Sequence, residues 1–282
     1  MKIWITGYKG MLGYDLVKTL SKDYELILTD KKQVNITNFN NVEELIKQHK
    51  IDVIINAAAY TDVDGSQTNK KIAYNVNAVG SKNLAIASKE HNIKLIHIST
   101  DYVFNGDKNN PYTEEDETDP INYYGETKLQ GEKFIQENMS KYFIVRTQWL
   151  YGINGGNFVK TMLKLAESSN EINVVNDQFG CPTFTKDLAI AFRELITSEK
   201  YGLYNVTNSG ECSWFDFAKL IFEIANVDVN LNPVLTFQYP TIAKRPKYSV
   251  LNNEKWMNEG FTPLRSFKDS LNEYMNLELN KC

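Results

Sequence analysis

Tyr124 and Lys128 are four residues apart in the run Tyr123-Tyr124-Gly125-Glu126-Thr127-Lys128. In a helix that spacing puts both side chains on one face. An ammonium beside a phenol favours the phenolate and lowers a pKa that is about 10 when unperturbed. Such a tyrosine can exchange a proton with a substrate oxygen near neutral pH. Tyr123 is the rival phenol, but it is five residues from Lys128, so Tyr124 is preferred. Upstream, Ile98-Ser99-Thr100-Asp101-Tyr102-Val103-Phe104 places a hydroxyl where an apolar strand ends. Thr100, Tyr124 and Lys128 together make a donor set around one oxygen, and these three are the expected catalytic residues.

A second set of residues suits a dinucleotide. Thr6-Gly7-Tyr8-Lys9-Gly10-Met11-Leu12-Gly13 follows the first strand and opens the first helix, with Gly-x-x-Gly-x-x-Gly spacing. Gly7 permits a tight turn, Gly10 lets backbone approach a pyrophosphate, and Gly13 allows close packing of helix on strand. The helix N-terminus then presents free N–H groups and positive dipole to the anion. The second strand ends at Asp30, whose carboxylate can accept hydrogen bonds from an adenosine ribose. That favours NADH over NADPH as the reductant, because a 2′-phosphate would meet a like charge, although Lys31 and Lys32 offset part of the repulsion. The third strand runs into Asn56-Ala57-Ala58-Ala59-Tyr60-Thr61, small residues that leave room for a ligand at a strand's C-terminal end. With a nicotinamide there, Thr100 falls where a substrate carbonyl would lie, and Lys128 can also reach the nicotinamide ribose.

These residues need a scaffold that brings several strand ends together. Ile- and Val-rich runs at 2–6, 25–29, 51–56, 94–99 and 142–147 are apolar almost throughout, as strands covered on both faces must be. Helical patterns near 11–21, 38–49, 68–91 and 122–139 alternate with them. The fold class expected is α/β, a doubly wound parallel sheet of Rossmann type with a smaller C-terminal substrate-binding lobe. The dinucleotide-binding domain is expected over 1–150. Residues 151–282 are expected mainly to form the lobe, with some segments returning to the first domain. Helices are expected there near 157–168, 185–198, 213–226 and 266–279. Five of the seven prolines fall in this second part, which predicts more irregular backbone.

The 282-residue chain is 42% hydrophobic and 23% charged, an ordinary globular composition, and its formal net charge is −4. No basic footprint for nucleic acid or an anionic membrane exists, so a phosphate-bearing ligand must be held locally. Cys181, Cys212 and Cys282 are too few and scattered for a disulfide framework or a zinc site. With no signal peptide in view and no apolar run long enough to span a bilayer, the expected compartment is the cytoplasm.

With the glycine loop, Ser99-Thr100-Asp101 and Tyr124-x-x-x-Lys128 in this order, the chain resembles the extended short-chain dehydrogenase/reductases. Within them it looks like the dTDP-4-dehydrorhamnose reductase family. The likeness runs nearly end to end, through Asn56-Ala57-Ala58-Ala59-Tyr60-Thr61-x-Val63-Asp64, Arg146-Thr147-x-Trp149-x-Tyr151-Gly152, Gly156-Asn157-Phe158-Val159-Lys160-Thr161-Met162, Asp177-Gln178-x-Gly180-x-Pro182-Thr183 and Arg245-Pro246-Lys247-Tyr248-Ser249. The resemblance implies transfer of a hydride from NADH or NADPH to the 4-keto group of dTDP-4-dehydro-L-rhamnose, giving dTDP-L-rhamnose. It implies cofactor contacts at Gly10, Met11, Leu12, Asp30, Ala59, Tyr60, Thr61, Tyr124 and Lys128, and sugar-nucleotide contacts at Thr100, Asp101 and Trp149. Trp149, just past a strand end, suits stacking on a sugar or base. Arg245, a cation after a proline-interrupted loop, is added as a contact for phosphates or sugar oxygens. Two features depart from the family pattern: Asn35 stands where an acidic residue is frequent, and Ser66-Gln67 replaces an Ala-Glu pair. A homodimer is one assembly the resemblance leaves open; since no full carboxylate set can be matched, no metal is expected. The rivals are another sugar-nucleotide reductase, epimerase or dehydratase of the same fold, or a non-catalytic regulatory subunit. A dehydratase needs a further acid/base pair after the strand-end Thr, and here Asp101 is followed by Tyr102, which offers no carboxylate.

Overall fold

The computed structural model describes residues 1–279, so Cys282 lies outside the described residues. The first half alternates strand and helix: β1 (Lys2–Thr6), α1 (Met11–Leu20), β2 (Glu25–Thr29), α2 (Phe39–Gln48) and β3 (Val53–Asn56). There follow α3 (Val63–Thr68), α4 (Lys70–Tyr74), a π-helical turn over Asn75–Val79, and α5 (Gly80–Glu90). Then come β4 (Lys94–Thr100), α6 (Tyr123–Asn138) and β5 (Tyr142–Thr147). All five expected strands form, within one or two residues of the predicted ends.

The second half contains β6 (Leu150–Tyr151), α7 (Phe158–Ala166), β7 (Glu171–Val175), β8 (Phe179–Gly180), β9 (Thr183–Phe184) and α8 (Thr185–Thr197). After these come β10 (Gly202–Asn205), β11 (Cys212–Ser213), α9 (Trp214–Ala225), β12 (Asn230–Val234), α10 (Glu254–Asn258) and α11 (Phe267–Leu279). One six-stranded sheet has the order β10-β5-β4-β3-β1-β2, parallel throughout. The order reverses between β1 and β3, and the crevice at the C-terminal ends of strands flanking such a reversal is where open α/β sheets bind ligands. This is the doubly wound Rossmann-type sheet expected. Its sixth strand, β10, was not anticipated.

Alternate residues of each strand go to opposite faces, and both faces are covered. Ile3, Ile5, Val53, Ile55, Phe143 and Val145 pack with Leu12 and Leu16 of α1 and with Leu188, Phe192 and Leu195 of α8. Trp4, Ile54, Leu95 and Ile144 pack on the other side with Val42 and Ile46 of α2, Leu84 of α5 and Ile135 of α6. A further core joins α7, β7, α9 and α11 through Met162, Ile172, Phe217, Ile221, Leu271 and Tyr274. Among the described residues no helix is long and apolar enough to cross a membrane.

The single helix expected over 68–91 is instead broken. It starts at Val63, pauses at Asn69, and carries one π turn before α5. The extra residue of a π turn rotates a side chain out of α-helical phase. Here Asn77 lies buried in that turn. Its Oδ1 accepts from the Tyr60 amide (2.8 Å), and its Nδ2 donates to the Tyr60 carbonyl (3.1 Å) and to Thr127 Oγ1 (3.0 Å). The break thus ties the stretch after β3 to α6.

Candidate active site

The glycine loop folds as its spacing requires. Gly7 has φ +66°, and a Cβ there would lie 2.8 Å from Ala58 Cα, so loop and β3 end are in backbone contact. A Cβ on Gly13 would lie 2.3 Å from the Gly7 carbonyl oxygen, whereas Gly10 has nothing but that oxygen near it, at 3.2 Å. Helices α2, α3, α6, α7 and α9 are capped by their own side chains, but α1 begins at Gly10 with no side-chain cap. The first-turn amides of Met11, Leu12 and Gly13 therefore have no intrahelical acceptor and remain available to an anion. This cradle fits a dinucleotide pyrophosphate.

Asp30, at the end of β2, is engaged by a residue the sequence reading did not weigh. Lys9 Nζ donates to Asp30 Oδ2 at 2.6 Å, and the Lys32 amide donates to Oδ1 at 2.8 Å. The Lys9 hydrogen bond is the main cause holding the Asp30 carboxyl below its ordinary range. The carboxylate expected to repel a 2′-phosphate is therefore already neutralised by a loop lysine.

On the other side of the crevice, β4 ends at Thr100. Its Oγ1 donates to Asp101 Oδ1 (3.0 Å) and accepts from the Tyr102 amide (3.2 Å). Asn122 starts α6 by accepting from the Gly125 amide (2.9 Å) and anchors the cap to the Lys244 carbonyl (2.9 Å). The Tyr124 ring meets Tyr102 edge-on, with centroids 6.0 Å apart. Burial pushes the Tyr124 phenol up to about 12, opposed by a hydrogen bond with Thr100 and reinforced by the Asp101 charge. The phenol is therefore not held low by Lys128 as expected. Desolvation wins, and Tyr124 stays protonated at neutral pH, the form that can give a proton away.

Lys128 is wholly buried. Its Nζ donates to the Ile98 carbonyl at 2.5 Å and lies 3.5 Å from His97 Nε2, so its own contacts are with β4, not with Tyr124. Burial lowers the Lys128 amine to about 8, with Glu132 pulling the other way. Glu132, one turn further along α6, accepts from Arg146 Nε (3.0 Å) and Nη2 (2.7 Å) and from Ser99 Oγ (2.5 Å). This ion pair, 1% and 4% exposed, locks α6 onto β4 and β5.

Asp101 is buried, which raises its carboxyl to about 7, against opposing hydrogen bonds from Ser249 and Thr100. Its Oδ2, together with Thr147 Oγ1 and Gln148 Nε2, is buried without a hydrogen-bond partner. Such groups call for a ligand or water to complete them. Trp149 takes a left-handed conformation, φ +46°, and lies flat on Trp214 with centroids 3.5 Å apart. Its ring is also against Gly180, where a Cβ would be 2.5 Å from Trp149 Cε2. Arg245 directs its fork to Asp64, at 2.7 and 2.9 Å, and to the Ala243 carbonyl at 2.5 Å. Arg245, expected as a contact for phosphates or sugar oxygens, is half of a bidentate pair joining the 243–246 loop to α3.

An uncapped helix behind a glycine loop, opposite a strand-end Thr and a buried Tyr-x-x-x-Lys helix, defines a nicotinamide-dependent oxidoreductase of the extended short-chain dehydrogenase/reductase class. Comparison with known proteins narrows this. Residues 1–279 match the family described as RmlD substrate binding domain. The spore coat polysaccharide biosynthesis protein SpsK of Bacillus subtilis is 40% identical over 100% of this chain and 99% of its own. A solved dTDP-4-dehydrorhamnose reductase from Clostridium acetobutylicum superposes with TM-score 0.96 at 45% identity, covering 98% of this chain and 99% of that one. The same enzyme from Bacillus anthracis, solved in complex with NADP, gives TM-score 0.96 at 43% identity over the same shares. The chain belongs to the RmlD family, and it is a reductase.

Proposed function

We propose that the protein reduces the 4-keto group of dTDP-4-dehydro-L-rhamnose to give dTDP-L-rhamnose, in the cytoplasm, using NADH or NADPH. The bound nicotinamide would supply the hydride. The protein's own part is to hold the ketone and to deliver a proton to its oxygen. Tyr124 gives that proton from a phenol that is protonated at neutral pH. Thr100 orients the oxygen by hydrogen bonding, and the Lys128 ammonium stabilises the phenolate left behind. Met11, Leu12 and Gly13 would bind the pyrophosphate through their amides, with Gly7 and Gly10 shaping the loop. Asp30 and Lys9 would meet the adenosine ribose, and Ala59, Tyr60 and Thr61 would line the crevice. Asp101, through its unpartnered Oδ2, would take a sugar hydroxyl. Trp149 would bound the sugar nucleotide, with Arg245 acting through the loop it holds to Asp64.

One observation carries this reading. Thr100, Tyr124 and Lys128 converge on the C-terminal end of β4, fixed there by the Asn122 cap and the Glu132–Arg146 pair. The test is a panel of sugar nucleotides given to the purified protein with NADH and NADPH separately. Loss of nicotinamide absorbance with dTDP-4-dehydro-L-rhamnose, and little with keto-sugars on other nucleotides, is the expected result. No absorbance loss with any keto-sugar nucleotide would sink the proposal.

A further inference from the structure

His97 is one of three histidines in the chain and the only one wholly buried. It projects from β4 between Asn56 and Lys128, and the chemistry above does not use it. The hydrogen bonds leading to it have a direction that can be worked out. The Ala58 amide donates to Thr6 Oγ1 (3.2 Å), and the Thr6 hydroxyl donates to Asn56 Oδ1 (2.7 Å). The Asn56 amide therefore turns its NH2 toward His97 Nδ1, 3.0 Å away. Were the amide reversed, Thr6 would accept twice and its own proton would have no acceptor in a site about 1% exposed.

Nδ1 must then be bare, and a neutral imidazole carries its proton on Nε2, which faces Lys128 Nζ at 3.5 Å. The ring is neutral because burial, the larger cause and one independent of the charge on Lys128, pushes its pKa below the usual value, and a positive Lys128 pushes it further. An N–H directed at an ammonium is unfavourable, while the same N–H directed at a neutral amine finds a lone pair. We propose that Thr6, Asn56 and His97 form a hydrogen-bond chain of fixed polarity that loosens the proton on the Lys128 ammonium without removing it at neutral pH, making His97 a positioning residue for that charge. Glu132 on the same helix also bears on Lys128 and is paired with Arg146 of β5, and Tyr124 lies one turn back on the helix. Burial is the main cause that lowers the Lys128 amine, to about 8, and Glu132 opposes it. The His97 N–H would act in the same direction as burial.

The chain polarity is read directly by 15N spectra of imidazole-labelled protein. The His97 signals are those lost in His97→Gln. A protonated Nε2 and bare Nδ1, unchanged in a titration from pH 5 to 7, is expected; a protonated Nδ1 overturns the proposal. Asn56→Asp reverses the chain, since a carboxylate accepts from Nδ1–H and turns Nε2 into an acceptor for the ammonium. In that variant the tautomer switches, and the basic limb of the kcat–pH profile moves up by about one unit, a tenfold gain in proton affinity. A switched tautomer with an unmoved limb would break the link to Lys128. If Asn56→Asp does not fold, the tautomer of the unsubstituted protein decides. The kcat arm rests on the reductase reading; the tautomer is measured without turnover, so the two fail separately.

Discussion

Gly125 lies against the carbonyl of Tyr102 so closely that a Cβ would be 2.0 Å from that oxygen and 2.9 Å from its carbon. This contact lets α6 approach the end of β4, and it brings Tyr124 to Thr100. Gly125→Ala cannot be absorbed by a side chain moving aside, because the obstacle is backbone. The helix must shift away, and a displacement of about 1 Å at a reacting group can cost about 100-fold in rate. Steady-state kinetics of Gly125→Ala are expected to show kcat reduced by about that factor, with dinucleotide affinity kept. Unchanged kcat would mean that α6 placement does not limit the chemistry.

The phenol and the hydroxyl make separable contributions. Tyr124→Phe removes the proton donor, and turnover is expected to fall by about 10²- to 10⁴-fold, the usual range for a general acid. Cofactor binding, followed by nicotinamide fluorescence, is expected to survive. Thr100→Val leaves the proton donor in place and removes one hydrogen bond to the oxygen, so its loss is expected to be the smaller. Near-normal turnover in Tyr124→Phe would take Tyr124 out of the mechanism.

What was legible in the sequence was local. The β1-loop-α1 unit could be read because Gly7, Gly10 and Gly13 act within a few residues of one another, and the first five strands because each is a short, densely apolar run. β10 is short and reads Gly-Leu-Tyr-Asn, so only its pairing with β5 makes it a strand. The π turn was hidden because its cause, the bonding of Asn77 to Tyr60 and Thr127, spans 17 and 50 residues. Lys31 and Lys32 neighbour Asp30 in the chain, yet it is Lys9, 21 residues away, whose ammonium reaches the carboxylate. The Tyr124 pKa went the other way because spacing shows a neighbouring charge but not the burial that outweighs it.

Asp101 should make stability depend on pH. Its folded pKa is raised to about 7 from an unfolded value near 3.8, so the native state holds the proton more tightly. That contribution is fully present below the unfolded pKa and is lost as pH rises through about 7. Asp101→Asn cannot titrate. Urea unfolding at pH 4 and pH 8 is expected to show the unsubstituted protein losing on the order of 4 kcal/mol relative to the variant. A constant difference between the two pH values would show that Asp101 holds its proton no more tightly in the folded protein than in the unfolded chain.

Lys9 should decide which dinucleotide is accepted. Paired as it is, Asp30 presents little net charge to a 2′-phosphate, and the Lys9 ammonium can turn to meet it. In Lys9→Ala the carboxylate is left facing the adenosine ribose. The ratio of kcat/KM for NADPH to that for NADH is expected to fall by roughly tenfold or more, the scale of one charge-assisted hydrogen bond. Asp30→Asn is expected to move the ratio toward NADPH. Parallel losses with both cofactors in Lys9→Ala would place its role in the loop and not in the choice.

The Glu132–Arg146 pair is expected to be worth more for position than for stability. Both groups are buried, so removing one leaves the other charge uncompensated, which costs about 3–5 kcal/mol. Glu132→Gln should therefore unfold at markedly lower urea, and it should also lower the Lys128 pKa, since Glu132 is what holds it up. The basic limb of kcat against pH then moves down. A double variant, Glu132→Leu with Arg146→Met, removes both charges and is expected to recover most of the stability, because an apolar pair of similar volume is often neutral in place of a buried ion pair. Activity is not expected to return with it. Without the fork to Arg146 and the bond from Ser99, the bond from Lys128 Nζ to the Ile98 carbonyl is left to hold the Lys128 turn of α6 against β4 without their support. If the double variant regains full kcat along with its stability, the pair serves folding alone and the placement of Lys128 has another cause.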